Sequence, residues 1–366
     1  MRIVQLLPEL DSGDLARTTL DFAGELLRLG HEAIVISNGG ELVPRLTLRG
    51  GRHIRMPLQG NPLWSLRLVR RLRRTLAELE VDVVHARGAL PAWIAWRAWR
   101  GMPADKRPRL VTGAHDFYRK SFYGAALAAG ERVTAVSRCV ADSLQLHFSG
   151  KLNQPPRVVH YGVNTREFDR DAPVSGQWQL RLLNQYPQLE GRHWLLMPAR
   201  LEPGQGLIPF LRMLAAVVSQ RDVFGLIVGD SCAGGEKYSR KLEQMAVELG
   251  LADRVLFLGP RRDMRELYAS SQVCYSLAEQ PEPYGRVAAE ALAMNCPVVA
   301  YADCGSAEVL QRCFPQGLVE RGNPDALVET TLRILDQPQM VRFSDFTHED
   351  TAAQTLALYR ELLQTA

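Results

Sequence analysis

The feature that most constrains this chain is an alternation, run through twice, of short β-branched apolar stretches with longer amphipathic ones. In the first run Ile3–Leu7, Ala33–Ser37, Val81–His85, Leu110–Ala114, Val133–Val136 and Val158–His160 read as strands. Each is short, and Gly, Pro or a polar turn follows it. Ala16–Leu29, between the first two, puts Leu20, Ala23, Leu26 and Leu27 on one helical face and meets a stop signal at Gly30. The pattern then breaks at Arg166–Trp178, a polar stretch with Pro173 and Gly176 that reads as a linker or excursion. It restarts with Trp194–Ala199, Phe224–Val228, Val255–Leu258, Val273–Ser276, Pro297–Tyr301 and Gly317–Val319 as strands. Lys237–Leu249 and Arg286–Met294 are helical between them, and Ala352–Thr365 is a closing helix. Strands that alternate with helices make parallel sheets, and no solenoid period is present.

The expected fold class is therefore α/β, with two Rossmann-like doubly wound domains facing across a cleft. Residues 1–165 form the first domain and 166–350 the second, and 351–366 is a helix able to pack back on the first. In such sheets ligands sit beyond the carboxyl ends of the strands, so strand-end residues are where chemistry is sought.

A length of 366 residues suits two domains of ordinary size. No apolar run approaches the roughly 18–20 residues of a membrane span, and the N-terminus reads as a first strand rather than a signal peptide. Six scattered cysteines without a Cys-x-x-Cys pair suggest neither zinc nor disulfides, and point to a reducing cytoplasm.

The net charge of +4 is unevenly spread. Residues 1–170 carry 26 Lys and Arg against 16 Asp and Glu, and residues 171–366 carry 18 against 24. The densest basic run, Arg67, Arg70, Arg71, Arg73 and Arg74, is interleaved with Leu66, Leu68, Val69 and Leu72. At helical spacing this is either a surface helix packing its leucines on its own domain or a helix lying on an anionic membrane. Nucleic acid is not an expected partner, because no aromatic platform accompanies the basic run.

The segment richest in chemistry runs Ser276-Leu-Ala-Glu-Gln-Pro-Glu-Pro-Tyr-Gly-Arg-Val-Ala-Ala-Glu290. A strand ends near Ser276 and a helix starts at about Gly285. The free N–H groups of Gly285, Arg286 and Val287, with the helix dipole, make an anion site suited to a diphosphate. Gly285 permits close backbone approach. Glu282 and Glu290 flank that helix start, where carboxylates can accept hydrogen bonds from sugar hydroxyls. The bland alternative makes Glu282 an electrostatic cap and Glu290 a surface acid.

This segment resembles the Glu-x7-Glu signature of family 4 retaining glycosyltransferases, which have the GT-B fold. The resemblance extends over nearly the whole chain. It includes the Gly13 loop, Asp82-Val-Val-His-Ala-Arg87, Thr112-Gly-Ala-His115, Tyr161-Gly-Val-Asn164, Ala199-Arg200-Leu201, Val228-Gly229-Asp230 and Cys304-Gly-Ser-Ala-Glu308. It implies that Glu282 binds the transferred sugar and Glu290 the nucleotide ribose. Arg200 would meet the donor diphosphate together with the backbone of Gly285, Arg286 and Val287. His115 would sit near the reacting sugar, and His85 and Arg87 at the acceptor; each of the three is otherwise a residue merely finishing a strand.

Neither a metal nor another cofactor is expected, since Arg and the helix dipole can neutralise the leaving diphosphate. Ile34-Val-Ile-Ser-Asn-Gly-Gly40, Arg52-His-Ile-Arg-Met-Pro57 and His85-Ala-Arg87 with Pro91-Ala-Trp93 look like a subgroup associated with lipopolysaccharide-core assembly. That implies a hexosyltransferase-type enzyme, cytoplasmic or peripheral on the inner face of the inner membrane. It would take a nucleotide-sugar donor and a glycolipid or oligosaccharide acceptor.

Three positions depart from the family pattern. Asp14 and Ala16 replace a Gly and an acid in the first loop, Gln205 stands where Lys is usual in the donor clamp, and Gly305-Ser306 replaces Gly-Gly. These changes motivate a second reading, a catalytically weakened GT-B scaffold that binds or regulates. A nucleotide-sugar epimerase shares the architecture but not this pattern of acids and histidines.

Overall fold

A strand buried on both faces must be covered by helices on both, and helical crossovers make consecutive strands parallel. Both sheets of this protein obey that rule. The computed structural model describes residues 1–11, 13–58, 62–121, 123–231, 235–337 and 339–364, and of residues 62–65 and 304 the backbone alone. The chain divides into two units, residues 1–162 with 347–366, and residues 163–346.

The first unit holds β1 (Arg2–Leu6), β2 (Glu32–Ser37), β3 (Arg52–Arg55), β4 (Val83–Arg87), β5 (Arg109–Ala114), β6 (Arg132–Ala135) and β7 (Arg157–Val158). All pair in parallel in the order β3-β2-β1-β4-β5-β6-β7. Alternate residues of β1 feed opposite cores. Val4 and Leu6 join Leu72, Leu76 and Ile94 on one face, and Ile3 joins Leu20, Phe22 and Leu356 on the other. β3 escapes the sequence reading because Arg-His-Ile-Arg carries only one apolar residue; as an edge strand it needs no more.

The basic helix Pro62–Leu79 turns Val69, Leu72 and Leu76 into the core and leaves Arg67, Arg70, Arg71 and Arg74 exposed. Of the interleaved apolar strip, Val69 and Leu72 are core, Leu68 is half-buried and Leu66 is 57% exposed. Among the described residues no helix is long and apolar enough to cross a membrane.

The first-unit helix Asp14–Arg28 ends with Leu29 as C-cap and Gly30 at φ 77°, the left-handed stop that glycine supplies without strain. The last helix, His348–Gln364, packs on it. Tyr359 stands edge-on to Phe22 and to His85, and its hydroxyl meets His85 Nδ1 at 2.7 Å. At the start of that helix the His348 ring bridges two acids, with Nε2 3.2 Å from Glu25 and Nδ1 2.9 Å from Glu349.

The second unit holds β8 (His193–Pro198), β9 (Val223–Val228), β10 (Val255–Phe257), β11 (Val273–Ser276), β12 (Val298–Tyr301) and β13 (Leu318–Val319). Their order, β10-β9-β8-β11-β12-β13, repeats that of the first unit about its own central strand. The stretch Arg166–Trp178 lies within this unit rather than linking the two, a mostly exposed excursion anchored in the core by Phe168 and Trp178. Phe168 packs on Tyr268, and Trp178 lies within the helix Gly176–Gln185 and donates from Nε1 to Asp263 at 2.6 Å.

In each sheet the strand order reverses once, between β1 and β4 and between β8 and β11. Crevices beyond the carboxyl ends at such points are where doubly wound sheets bind ligands. The chain thereby places Gly13 and Arg87 at one switch point, and Arg200 and Glu282 at the other.

Candidate active site

In the second unit two loops meet at the switch point. The loop after β8 runs from Arg200 to Gly206, which caps the helix Leu207–Val218 at φ 80°. A Cβ at Gly206 would collide with the Leu277 carbonyl, so only glycine lets this loop lie against the one after β11. A backbone bond from Glu279 N–H to Gly204 O, 2.8 Å, joins the two loops. Arg321 braces the second loop by donating to Ala278 O at 2.6 Å while paired to Asp303.

Within this frame Glu202 accepts from both Arg200 and Gln205, each at 3.1 Å. Gln205, uncharged where the family pattern has Lys, therefore spends its amide on positioning Glu202. The Arg200 side chain remains 66% exposed, which leaves its guanidinium open to an anion.

Glu282 is held by hydroxyls. Its Oε2 accepts from Ser276 Oγ at 3.2 Å and Ser306 Oγ at 3.0 Å, and the two serines lie 2.9 Å apart. The departure at Ser306 thus supplies a hydrogen bond that glycine could not. Gly285 caps the helix Arg286–Ala293 with no side-chain cap, so its first N–H groups have no intrahelical partner.

A Cβ at Gly285 would run into Ser306 Cα, and one at Gly305 into Tyr284 Cα. The glycine is required by the packing of two helix starts as well as by any close ligand. Gly285→Ala is therefore expected to cost about 1–3 kcal/mol of stability through overpacking, measured by urea unfolding. Gly13→Ala is the control. A Cβ there meets nothing within 4 Å, and the change should stay within about 0.5 kcal/mol.

Glu290 is buried and already engaged. Arg286 Nε donates to its Oε1 at 2.6 Å and the Tyr268 hydroxyl to its Oε2 at 3.3 Å. Burial beside that carboxylate pushes the Tyr268 phenol well above its ordinary pKa, so it stays a donor. Val287, next to Arg286 in the first turn, is half-buried.

In the first unit Gly13 caps the helix Asp14–Arg28 after β1, and Ser12 lies outside the described residues. His115 follows β5, half-buried, with its Nδ1 3.2 Å from the Tyr118 hydroxyl. Burial lowers its pKa to about 4; Asp116 and Asp14 pull upward and Arg87 pushes down, so the ring is neutral at pH 7. Asp14, the first residue of the helix that Gly13 caps, is thus close enough to act on the histidine electrostatically.

Arg87, at the end of β4, is 4% exposed. Its guanidinium donates to Thr19 Oγ1 at 3.3 Å and lies 5.7 Å from the Phe22 ring; among the described residues it forms no ion pair. It lines a cavity of about 20 Å³, room for roughly one water, with His85, Thr134, Tyr161, Thr351 and Thr355. His85 lies deeper, 3% exposed, with its nitrogens occupied by Tyr359 and Thr134. It holds that floor rather than offering a free edge. Tyr118, Tyr161, Tyr359, Ser276 and Glu202 complete the two sites; Tyr161 and Ser276 lie within the quoted motifs without a role assigned to them, and no motif marks Tyr118 or Tyr359.

Only one group among the described residues gathers ligand atoms of the kind that bind metals: Glu25, His348 and Glu349, within 4.8 Å of one another. Arg28 is already 2.7 Å from Glu25, so a cation is present there in the chain itself.

Comparison with known proteins agrees with this geometry. Residues 15–167 match the family model described as Glycosyltransferase Family 4, and residues 181–346 the one described as Glycosyl transferases group 1. A glycosyltransferase from Rickettsia africae superposes with a TM-score of 0.88 at 25% identity, covering 100% of this chain and 99% of that one. The chain is a glycosyltransferase of the GT-B type.

The glycosyltransferase is also similar to the N-acetyl-alpha-D-glucosaminyl L-malate synthase of Bacillus anthracis, 23% identical over 93% of this chain and 92% of that protein. Anabaena Alr3699/HepE, solved in complex with UDP-glucose, shares the fold at a TM-score of 0.76, 22% identity and complete coverage of both chains. The lipopolysaccharide-core subgroup suggested by the sequence gains no specific support from these relatives.

Proposed function

We propose that this glycosyltransferase moves a sugar from a nucleotide-sugar to an acceptor bearing phosphate or carboxylate, with retained anomeric configuration. The observation that carries the donor half is Glu282, oriented by Ser276 and Ser306 at the foot of a helix start whose N–H groups have no intrahelical partner. An anionic diphosphate is favoured at such a start, and Arg200 adds a guanidinium for its oxygens. Glu290 would accept a ribose hydroxyl and Glu282 a hydroxyl of the transferred sugar. As the sugar–phosphate bond breaks, charge grows on the diphosphate, where fixed dipoles and Arg200 stabilise it without reorganising. His115, neutral and steadied by Tyr118, can accept or donate a hydrogen bond beside the reacting sugar.

The acceptor half rests on Arg87, a buried guanidinium without an ion pair among the described residues. Malate, named in the relative from Bacillus anthracis, carries two carboxylates and is one such acceptor. A phosphorylated lipopolysaccharide-core glycan is another.

The test is a thermal-shift screen of UDP-, GDP-, ADP- and TDP-sugars, followed by turnover of the stabilising donor with malate, sugar phosphates, core glycan and an uncharged glycoside. A donor at 100 times its Kd should add about 2.7 kcal/mol of stability. Transfer to anionic acceptors, with the product's anomeric configuration matching the donor by NMR, is the expected result. Preference for the uncharged glycoside would refute the acceptor reading. Stabilisation by no donor, with no turnover, would favour the scaffold reading, which Gln205 motivates because it brings no charge to the clamp.

A further inference from the structure

The helix Ala89–Arg100 carries three tryptophans at three-residue spacing, and a guanidinium lies over each. Arg97 stands 5.9 Å from the Trp93 ring centroid, Arg100 5.1 Å from Trp96 and Arg107 4.8 Å from Trp99. Trp96 and Trp99 are half-buried, and Arg97 and Arg100 are exposed. None of these residues belongs to the sites described above.

Beside this helix the short helix Gly124–Leu127 and the residues after it present small side chains. Between the two lies a groove of about 600 Å³, walled by Trp93 and Trp96 and floored by Ala125, Ala126 and Ala129, with Ser121 and Lys151 as its polar lining.

We infer that this groove takes an acyl chain of an anionic bilayer lipid, docking the first unit on a membrane surface. A sugar or a peptide backbone needs hydrogen-bonding partners along its length, and these walls offer almost none. A hydrocarbon chain needs only apolar area and room, which the alanines and indole faces supply. The charge around the groove selects the headgroup. Lys151 lines the groove, exposed Arg97 and Arg100 lie over the Trp93 and Trp96 rings that wall it, and Arg67, Arg70, Arg71 and Arg74 are exposed on the neighbouring helix Pro62–Leu79. That helix packs closely alongside, since the Arg73 guanidinium occupies the space a Cβ at Gly101 would need.

Tryptophan with one apolar face and arginine above it is the side-chain pair of a membrane–water interface. A single chain gives only modest membrane affinity, and a cationic surface supplies the second contribution that stable attachment needs. The inference does not depend on sugar transfer. It places the apolar membrane contact at the tryptophan groove, since Val69, Leu72 and Leu76 of the basic helix are core.

The experiment uses the full chain with vesicles of phosphatidylcholine containing 30% phosphatidylglycerol, taking about that proportion as a typical anionic surface. Some vesicles carry a quencher halfway along the phosphatidylglycerol chain. Wild type should co-sediment with anionic vesicles and not with pure phosphatidylcholine, and chain-quenching should reduce its tryptophan fluorescence. Ala125→Leu/Ala129→Leu fills the groove with apolar atoms and leaves every charge in place. It should lose the quenching and bind about tenfold more weakly, as expected when a buried chain segment is expelled.

Trp96→Ala, at a half-buried position, should also lose quenching; circular dichroism and urea unfolding check that both variants fold. Undiminished binding and quenching in the filled variant would overturn the inference. So would binding without chain-quenching in the wild type, which would leave an electrostatic surface contact only. Binding to neutral vesicles as strong as to anionic ones would refute the anionic headgroup.

Discussion

Glu282→Ala is expected to lower kcat by about 10²–10³-fold, with a smaller change in donor KM. The split follows from where the carboxylate sits. In the proposed reading, diphosphate affinity would come from the helix start at Gly285 and from Arg200, which the substitution leaves in place. Glu282 would contribute an acceptor for the transferred sugar, and Ser276 and Ser306 already orient it by donating to Oε2.

An interaction that strengthens as the sugar gains positive character acts on kcat rather than on ground-state binding. Glu282→Gln retains the shape and loses the charge, so its deficit should approach that of alanine. Ser306→Gly restores the commoner glycine and removes one of the two hydroxyl donors. It should cost about 1 kcal/mol, roughly fivefold in kcat/KM, as one hydrogen bond to a charged group. Steady-state kinetics with the donor found by thermal shift reads all three. Equal losses in kcat and donor affinity for Glu282→Ala would instead make the residue a structural brace of the loop.

The sequence pattern carried the doubly wound architecture because parallel strands announce themselves as short β-branched runs, such as the Ile-Val-Ile of Glu32–Ser37, between amphipathic segments. Gly30 and the helix it stops were legible for the same local reason. Edge strand β3 was not, because an edge strand can be mostly charged and still pair. The run Arg67–Arg74 shows another limit. Helical periodicity reveals that Val69 and Leu72 share a face but not what that face meets, and here it meets the core.

Within the candidate site, Arg200, Glu282, Gly285 and Glu290 were legible because a contiguous motif holds the acids and a second short motif the arginine. What orients them was not. Ser306 is 24 residues from Glu282, and Tyr268 is 22 residues from Glu290, brought near by the fold of the sheet alone. His85 is the extreme case: its partner Tyr359 lies 274 residues away on the last helix. Gly285 was singled out for ligand approach, and the close packing on Ser306 adds a second demand that no local pattern records.

Arg87→Met should raise acceptor KM by about thirtyfold, the roughly 2 kcal/mol lost when one partner of a buried charge pair is truncated, and should leave donor affinity unchanged. It should also make the folded protein no less stable. A guanidinium that is 4% exposed, with a threonine hydroxyl and a phenylalanine ring for company, has given up hydration without an ionic partner. An apolar side chain of similar length removes that penalty, so urea unfolding should show equal or greater stability. A merely structural arginine would behave in the opposite way, losing stability and leaving acceptor KM alone. Gain of stability with loss of acceptor binding is the signature of a charge kept for a ligand.

A second readout follows from His115, whose pKa Arg87 helps to hold near 4. Removing the cation takes away one downward push while Asp116 and Asp14 still pull upward, so the histidine should titrate at a higher pH. If the neutral ring is the active form, the acid limb of the kcat/KM profile should move to higher pH in Arg87→Met, and the His115 ring resonances should shift with it in NMR titration. Arg87→Lys keeps the charge on a shorter, single-point donor. It should retain the wild-type acid limb while still losing part of the acceptor affinity, because an ammonium cannot form the paired bonds a planar guanidinium makes to a carboxylate or phosphate.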